Sequence, residues 1–333
     1  MRTEKDGNTP KRKILFRADA GPTIGYGHFI RSLALADMLK EDFDCVFYTQ
    51  APTDYQRKEA ASICPLVELP ADDTRFELFL NELTGKEIVV LDNYFYTTDY
   101  QKRIKETGCK LVCIDDMHDK HYVADVVVNH GNVQPEKFSI EPYTQLCLGL
   151  DYALLRRPFL EAAQRKFHNK TNPTIKRIAI CFGGSDPLHL TEKALDDLLP
   201  NQNISHIDVI VGKRISEYSH FFDSRICFHQ GISAQDVAHI FSNCDLAIVS
   251  TSSVCLEALA CGAKVAAGWY VENQREGYID LISKGWGIGL DNLAQTDFSL
   301  ALKQNNVESA FTLSNIKENF IQVFKSLDHV RRI

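Results

Sequence analysis

Short β-branched runs separated by helical stretches set the strongest constraint on how this chain folds. Glu87–Leu91 (EIVVL), Lys110–Ile114 (KLVCI) and Asp125–Asn129 (DVVVN) are brief and apolar without alternation, as expected of parallel strands buried on both faces. Lys13–Ala18, Phe43–Thr49 and Leu66–Leu69 read as further strands. Between them, His28–Lys40 places Phe29, Ile30, Leu33, Ala36 and Leu39 at helical spacing, and Asp54–Ile63 and Asp72–Leu83 read as helices. Strands alternating with helices imply βαβ units, hence an α/β fold with parallel sheets.

The rhythm restarts after a polar stretch, His168–Thr174, that contains Pro173. Lys176–Phe182, His206–Val211, Leu246–Ser250 and Lys264–Ala267 are the strands expected there. We therefore expect two Rossmann-like, doubly wound domains facing across a cleft: 13–150, which carries the GxGH loop, and 175–330, joined by a linker at 151–174. The length of 333 residues suits two domains. In such sheets ligands bind where strands end and helices begin.

Composition excludes several classes. Lys and Arg number 37 against 44 Asp and Glu, a formal charge of −7, which argues against a general nucleic-acid or membrane-surface binder. No apolar run is long enough for membrane insertion, and the polar start MRTEKDGNTPKRK is not a signal peptide. The ten cysteines form no CxxC. Reduced, buried thiols in a cytoplasmic protein are expected.

Four loops carry candidate chemistry. The first strand ends in Arg17-Ala18-Asp19, and Gly25-Tyr26-Gly27-His28 opens the first helix. Glycines there permit tight turns and close ligand approach. His28 sits in the helix's first turn, where the positive dipole end favours the neutral imidazole, a form suited to a general base. Arg31 and Ser32 share its face. Asp92-Asn93-Tyr94 ends the strand at 87–91; Asp92 is a candidate to orient a base, bind substrate or cap the next helix. Gly183-Gly184-Ser185-Asp186-Pro187 lacks the Lys-Ser/Thr ending of a P-loop and reads as a diphosphate or sugar loop, or a plain turn. Ser250-Thr251-Ser252-Ser253 closes a strand and starts a helix, a natural phosphate site. Glu257, one turn on, is placed to accept ribose hydroxyls or to act as a capping Glu, and Asn273 and Gln274 offer amides. Asp115, Asp116, His118, Asp119, His121 and His130 resemble no metal motif and read as a solvated polar loop. The GxG is not a dinucleotide fingerprint: the third glycine is missing, and no acidic residue ends the next strand.

Taken together, ILFRADAGPTIGYGHFIRSLALA, the Asp92-Asn93-Tyr94 loop, CIDD, VVVNHGNV, GLDYALLRRPF, CFGGSDP and STSSVCLEALACGAKVAAGWYVENQ resemble the UDP-2,4-diacetamido-2,4,6-trideoxy-β-L-altropyranose hydrolases of pseudaminic acid biosynthesis. The resemblance covers about residues 13–290. Its C-terminal motifs are shared with GT-B nucleotide-sugar enzymes such as the MurG-type transferases. The resemblance implies a GT-B fold and metal- and cofactor-independent, inverting hydrolysis, in which water attacks the anomeric carbon and UDP leaves. It places the catalytic histidine at His28 and the loop tyrosine at Tyr94. It places UDP at Gly183–Asp186, Ser252, Ser253, Glu257, Asn273 and Gln274. The chain departs from the family at Asn93, where His is common, and at Gly21-Pro22, where small hydroxyl residues are common.

The expected partners are a UDP-sugar and the UDP product, with no nucleic acid, bound by a monomer. Arg17, Asp19 and Tyr94 are candidates to orient His28 or hold the sugar. Gly25, Gly27, Arg31 and Asp92 are the expected contacts around it. Three alternatives remain: a UDP-sugar-dependent GT-B glycosyltransferase, a non-catalytic nucleotide-sugar-binding protein, and a hydrolysing 2-epimerase.

Overall fold

The computed structural model describes residues 11–21, 24–131, 134–165, 175–184, 186–212, 215–303, 311, 313 and 315–327. The first half contains β1 (Lys13–Arg17), α1 (Gly27–Leu39), β2 (Asp44–Gln50), α2 (Asp54–Ala60), β3 (Leu66–Leu69), α3 (Thr74–Asn81), β4 (Ile88–Leu91), α4 (Thr98–Glu106), β5 (Lys110–Ile114), β6 (His121–Tyr122), β7 (Val126–Asn129), β8 (Ser139–Ile140) and β9 (Gln145–Leu148). After α5 (Arg157–Ala163) come β10 (Arg177–Cys181), α6 (Leu190–Leu198), β11 (His206–Val211), β12 (Ile226–Gln230), α7 (Ala234–Asn243), β13 (Leu246–Ser250), α8 (Ser253–Ala260), β14 (Val265–Trp269), α9 (Arg275–Ser283), β15 (Ile288–Asn292) and α10 (Ile316–Ser326). Ser185, residues 166–174 of the expected linker and the first ten residues lie outside the described set.

Two parallel sheets result. The first has the order β3-β2-β1-β4-β5-β7-β9 and the second β12-β11-β10-β13-β14-β15. Alternation along each strand divides the core. Ile14 and Phe16 of β1 face a central cluster while Leu15 faces an outer one. In β10, Ala179 and Cys181 face the central cluster, and Ile178 and Ile180 a second outer one. The central cluster draws residues from both halves. Burial on both faces is why the strands lack polar alternation.

Two elements join the halves. Helix α5 packs on α1 as well as on α7 and α8. Helix α10, after the last strand of the second sheet, returns to the first half. There Phe324 packs edge-on to Phe43 and Asn319 donates to the Asp151 carbonyl at 3.1 Å. With neighbours on several sides, α1 is buried around most of its circumference. None of the ten cysteines is in a disulfide, and nine are buried. Among the described residues, no helix is long and apolar enough to cross a membrane.

Candidate active site

Strand order reverses beside β1 and β4 in one sheet and beside β10 and β13 in the other. Loops leaving such a pair diverge and leave a crevice. A cavity of about 390 Å³ lies between the halves. From the first half it is lined by His28, Arg31, Tyr94, Asp116 and His130, and from the second by Ser252, Ser253, Asn273 and Gln274.

The loop after β1 turns at Gly25, whose φ of 85° is left-handed and suits glycine alone among common residues. A Gly21–Gly25 bridge closes that loop, and α1 starts at Gly27. His28 is thus held in the first helical turn and is buried. Its Nδ1 lies 2.7 Å from Oδ1 of Asp92, which directly follows β4. Asp92 also accepts from Arg31 Nε at 2.7 Å, Arg31 Nη2 at 2.6 Å and Ser32 Oγ at 3.0 Å. Burial opposes ionisation of Asp92, but the Arg31 guanidinium and His28 hold its carboxyl well below the usual carboxylate range. A fixed carboxylate at Nδ1 assigns the proton to that nitrogen and leaves Nε2 with a free lone pair. Arg31 Nη2 also lies 3.1 Å from Nδ1, but it is committed to the carboxylate.

Arg31 extends the network to Asp116, through Nη1 at 2.9 Å. Burial disfavours the guanidinium charge, yet Asp92 and Asp116 keep it firmly protonated. Tyr94 stands edge-on to His28, with centroids 4.6 Å apart. Its hydroxyl donates to Asp116 at 3.2 Å and accepts from Asn273 Nδ2 at 3.2 Å, joining the halves across the cleft. Burial and Asp116 push the phenol up to about 12, so it stays protonated at neutral pH. His130 is pushed down to about 4 by burial and by Arg31 and is a neutral imidazole in the cavity wall.

On the opposite wall, Ser252 is the N-cap of α8 and Ser253 its first residue; no side chain caps that terminus. The Ser252 and Cys255 N–H groups donate to the Ser250 and Ser252 carbonyls at 2.8 and 3.0 Å, which leaves the Ser253 and Val254 N–H groups and the helix dipole to an anion. Ser250 and Ser252 hydroxyls lie 3.1 Å apart. Gln274 supports the neighbouring turn by accepting the Tyr270 N–H at 3.2 Å. Buried Cys255 touches the cavity from α8, and burial pushes its thiol up to about 12, so it is no nucleophile.

Several expected residues sit elsewhere. Arg17 and Asp19 are fully buried and paired to each other, with Nη2 to Oδ2 at 2.8 Å. Asp19 further accepts the Gln50 N–H at 2.8 Å. They tie the ends of β1 and β2 together, and neither lines the cavity. The orienting group at the imidazole is Asp92. Asn93, the departure from the family pattern, clamps Asp19 by accepting its N–H at 2.7 Å and donating to its carbonyl at 3.1 Å.

Gly183, Gly184 and Asp186 do not line the cavity. Asp186 accepts the Leu190 and Thr191 N–H groups at 2.9 and 3.0 Å and so starts α6. Gly184 lies against Gly212, where a side chain would collide with its carbonyl. Glu257 is also outside the cavity lining, and its two oxygens accept from Arg156 Nε and Nη2 at 3.0 and 3.1 Å. The solvated-loop expectation for 115–121 is corrected at its start. Asp115 is buried and caps the Met117 N–H at 3.1 Å, and Asp116 is drawn inward by Arg31. Those residues form no metal-ligand group among the described residues. Asp116 was missed as a site residue although it follows β5, so the strand-end rule already pointed to it.

No family model matches the chain. Over 289 residues it is 27% identical to an uncharacterised protein of Methanocaldococcus jannaschii, a match covering 82% of this chain and 58% of that protein, so the chain spans under two thirds of this relative's length. Over 286 residues it is 26% identical to the UDP-2,4-diacetamido-2,4,6-trideoxy-β-L-altropyranose hydrolase of Campylobacter jejuni, covering 83% of this chain and 98% of that enzyme. Two solved structures are similar over nearly the whole length. Anabaena HepE in complex with UDP and glucose matches with a TM-score of 0.57 at 12% identity, covering 95% of this chain and 100% of that one. CalG4, the calicheamicin glycosyltransferase, matches with a TM-score of 0.59 at 11% identity, covering 97% and 100%. The fold is GT-B.

Proposed function

We propose that this chain is a nucleotide-sugar hydrolase that releases UDP from a 2,4-diacetamido-2,4,6-trideoxy sugar, in pseudaminic acid biosynthesis. The observation that carries this reading is the buried His28–Asp92 pair, which faces the open N-terminus of α8 across one cavity. The relative from Campylobacter jejuni, whose name states this reaction, supports the choice of sugar.

In this reading Nε2 of His28 takes a proton from a water molecule as its oxygen bonds to the anomeric carbon. The bond from that carbon to the UDP oxygen breaks, and UDP leaves with the electron pair. Attack opposite the leaving group inverts the carbon. The imidazolium formed at His28 is stabilised by the Asp92 carboxylate, as in other histidine–carboxylate pairs. Charge growing on the diphosphate meets the N–H groups of α8 and the Ser252 and Ser253 hydroxyls. Tyr94, held by Asp116 and Asn273, and neutral His130 present hydrogen-bonding groups to the sugar.

The transferase reading draws on the CalG4 likeness, because the same cavity would serve an acceptor hydroxyl in place of water. NMR of purified protein with the UDP-sugar alone, with and without EDTA, decides between them. Hydrolysis predicts stoichiometric UDP and free sugar with inverted anomeric configuration. UDP released only when an acceptor is added would overturn it, and sugar recovered intact would favour a binding protein.

A further inference from the structure

Away from the cleft, the second sheet gathers metal-ligating side chains at its edge. Strands β11 and β12 run parallel, with Asp208 opposite Cys227 and Ile210 opposite His229. Side chains alternate along a strand, so His206 and Asp208 share one sheet face with Cys227 and His229. Ile207, Val209 and Phe228 pack into the core on the other face. One ligand atom from each of Asp208, Cys227 and His229 lies within 4.8 Å of the other two. His229 Nε2 is 2.8 Å, and His206 Nε2 3.1 Å, from the same Asp208 oxygen, Oδ1. None of the four lines the cavity.

A buried carboxylate needs hydrogen-bond partners, and two histidines satisfy Asp208. That need does not explain the thiol beside it. Cys227 is the one cysteine of the ten that is not buried, and it stands on the edge strand. Sulfur, imidazole nitrogen and carboxylate oxygen together are the donor set of a borderline-soft ion. Bonds of about 2.0–2.3 Å put neighbouring donors of a tetrahedral ion about 3.3–3.8 Å apart, so the 2.8 Å between His229 Nε2 and Asp208 Oδ1 has to open only slightly, and the Cys227 thiol already lies within 4.8 Å of both. Arg177 Nη2 approaches the other Asp208 oxygen at 3.7 Å, which leaves Oδ1 to the ion.

We propose that Asp208, Cys227 and His229, with a water as fourth donor, bind a divalent transition ion of the Zn²⁺ type that clips edge strand β12 to β11. Binding displaces the Cys227 thiol proton to solvent, and the His229 imidazole bonds the ion through the Nε2 lone pair of its Nδ1–H tautomer. The site is structural and separate from the proposed hydrolysis.

The test is a Co²⁺ titration of the full chain after stripping with a chelator, followed by Zn²⁺ competition. One Co²⁺ per chain is expected, with thiolate-to-cobalt charge-transfer absorption that Zn²⁺ abolishes. Zn²⁺ should also raise the melting temperature and slow alkylation of Cys227. Cys227→Ser should lose the absorption, and His229→Ala should weaken binding at least about tenfold, both without change in UDP-sugar turnover. Absence of saturable Co²⁺ uptake, or an absorption band retained in Cys227→Ser, overturns the proposal. Should that variant fold poorly, an alkylation rate of Cys227 that Zn²⁺ leaves unchanged in the parent chain overturns it equally.

Discussion

At the scale of single residues, the site rests on one carboxylate with four donors. Asp92 fixes the His28 tautomer and also neutralises Arg31, so its two roles separate by substitution. His28→Ala should retain UDP affinity and lose about 10²–10⁴ in turnover; calorimetry with UDP beside a rate assay checks both. Asp92→Asn keeps the shape but removes the charge that holds the Nδ1 proton. Turnover should fall by a similar factor with KM little changed, and turnover near that of the parent would remove Asp92 from the mechanism.

His130 makes a different prediction, about pH. Its folded value, about 4, lies below the unfolded value of about 6.5. The unfolded chain therefore binds a proton first as pH falls, and stability present above pH ~6.5 is lost progressively toward pH 4. His130→Gln should flatten this loss, seen as a smaller drop in urea midpoint between pH 7 and pH 5. An equal drop in both proteins would show that other groups carry the acid sensitivity.

At the scale of elements, Arg156 at the start of α5 and Glu257 within α8 form a partly buried pair 101 positions apart in the chain. Removing one partner leaves the other buried and unpaired, which typically costs about 3–5 kcal/mol. Arg156→Ala should show that loss in urea unfolding, and adding Glu257→Leu should recover part of it. A double variant no more stable than Arg156→Ala would argue against desolvated charge as the cause.

This pair also marks the limit of reading the chain alone. Glu257 was legible as a carboxylate near a helix start, but its partner was not, because nothing local connects it to Arg156. The same holds for Asp92 and His28: each lies at a recognisable strand end, but their meeting depends on β1 and β4 being neighbours. Among strands, β4, β5 and β7 were legible because burial on both faces leaves only apolar residues. Edge strand β12 (ICFHQ) was not, since one of its faces carries Cys227 and His229 and breaks the apolar run. Arg17 and Asp19 drew attention as charges at a strand end, where burial as a pair reads the same as exposure to a ligand.

At the scale of the whole molecule, the cavity exists only between the two halves, so their coupling bears directly on activity. The central cluster is continuous across them, and α10 carries Phe320, Val323 and Phe324 from the end of the second half into the first half's packing. Both tryptophans, Trp269 and Trp286, belong to the second half, whereas Phe324 meets Phe43 in the first. Phe324→Ala opens a cavity and should cost about 3–5 kcal/mol. If the halves unfold as one unit, tryptophan fluorescence and far-ultraviolet circular dichroism should move to the same lower urea midpoint. A fluorescence midpoint that stays in place while the dichroism splits would mean the halves unfold separately. Cleft geometry would then depend on the hydrogen bond from Asn273 to Tyr94 and on the Lys137–Glu276 and Lys325–Asp42 ion pairs. Exposed pairs of this kind contribute about 0–1 kcal/mol each, too little to hold a catalytic base and a diphosphate site in register. The apolar α10 contact is therefore the stronger candidate for fixing how the two halves face each other.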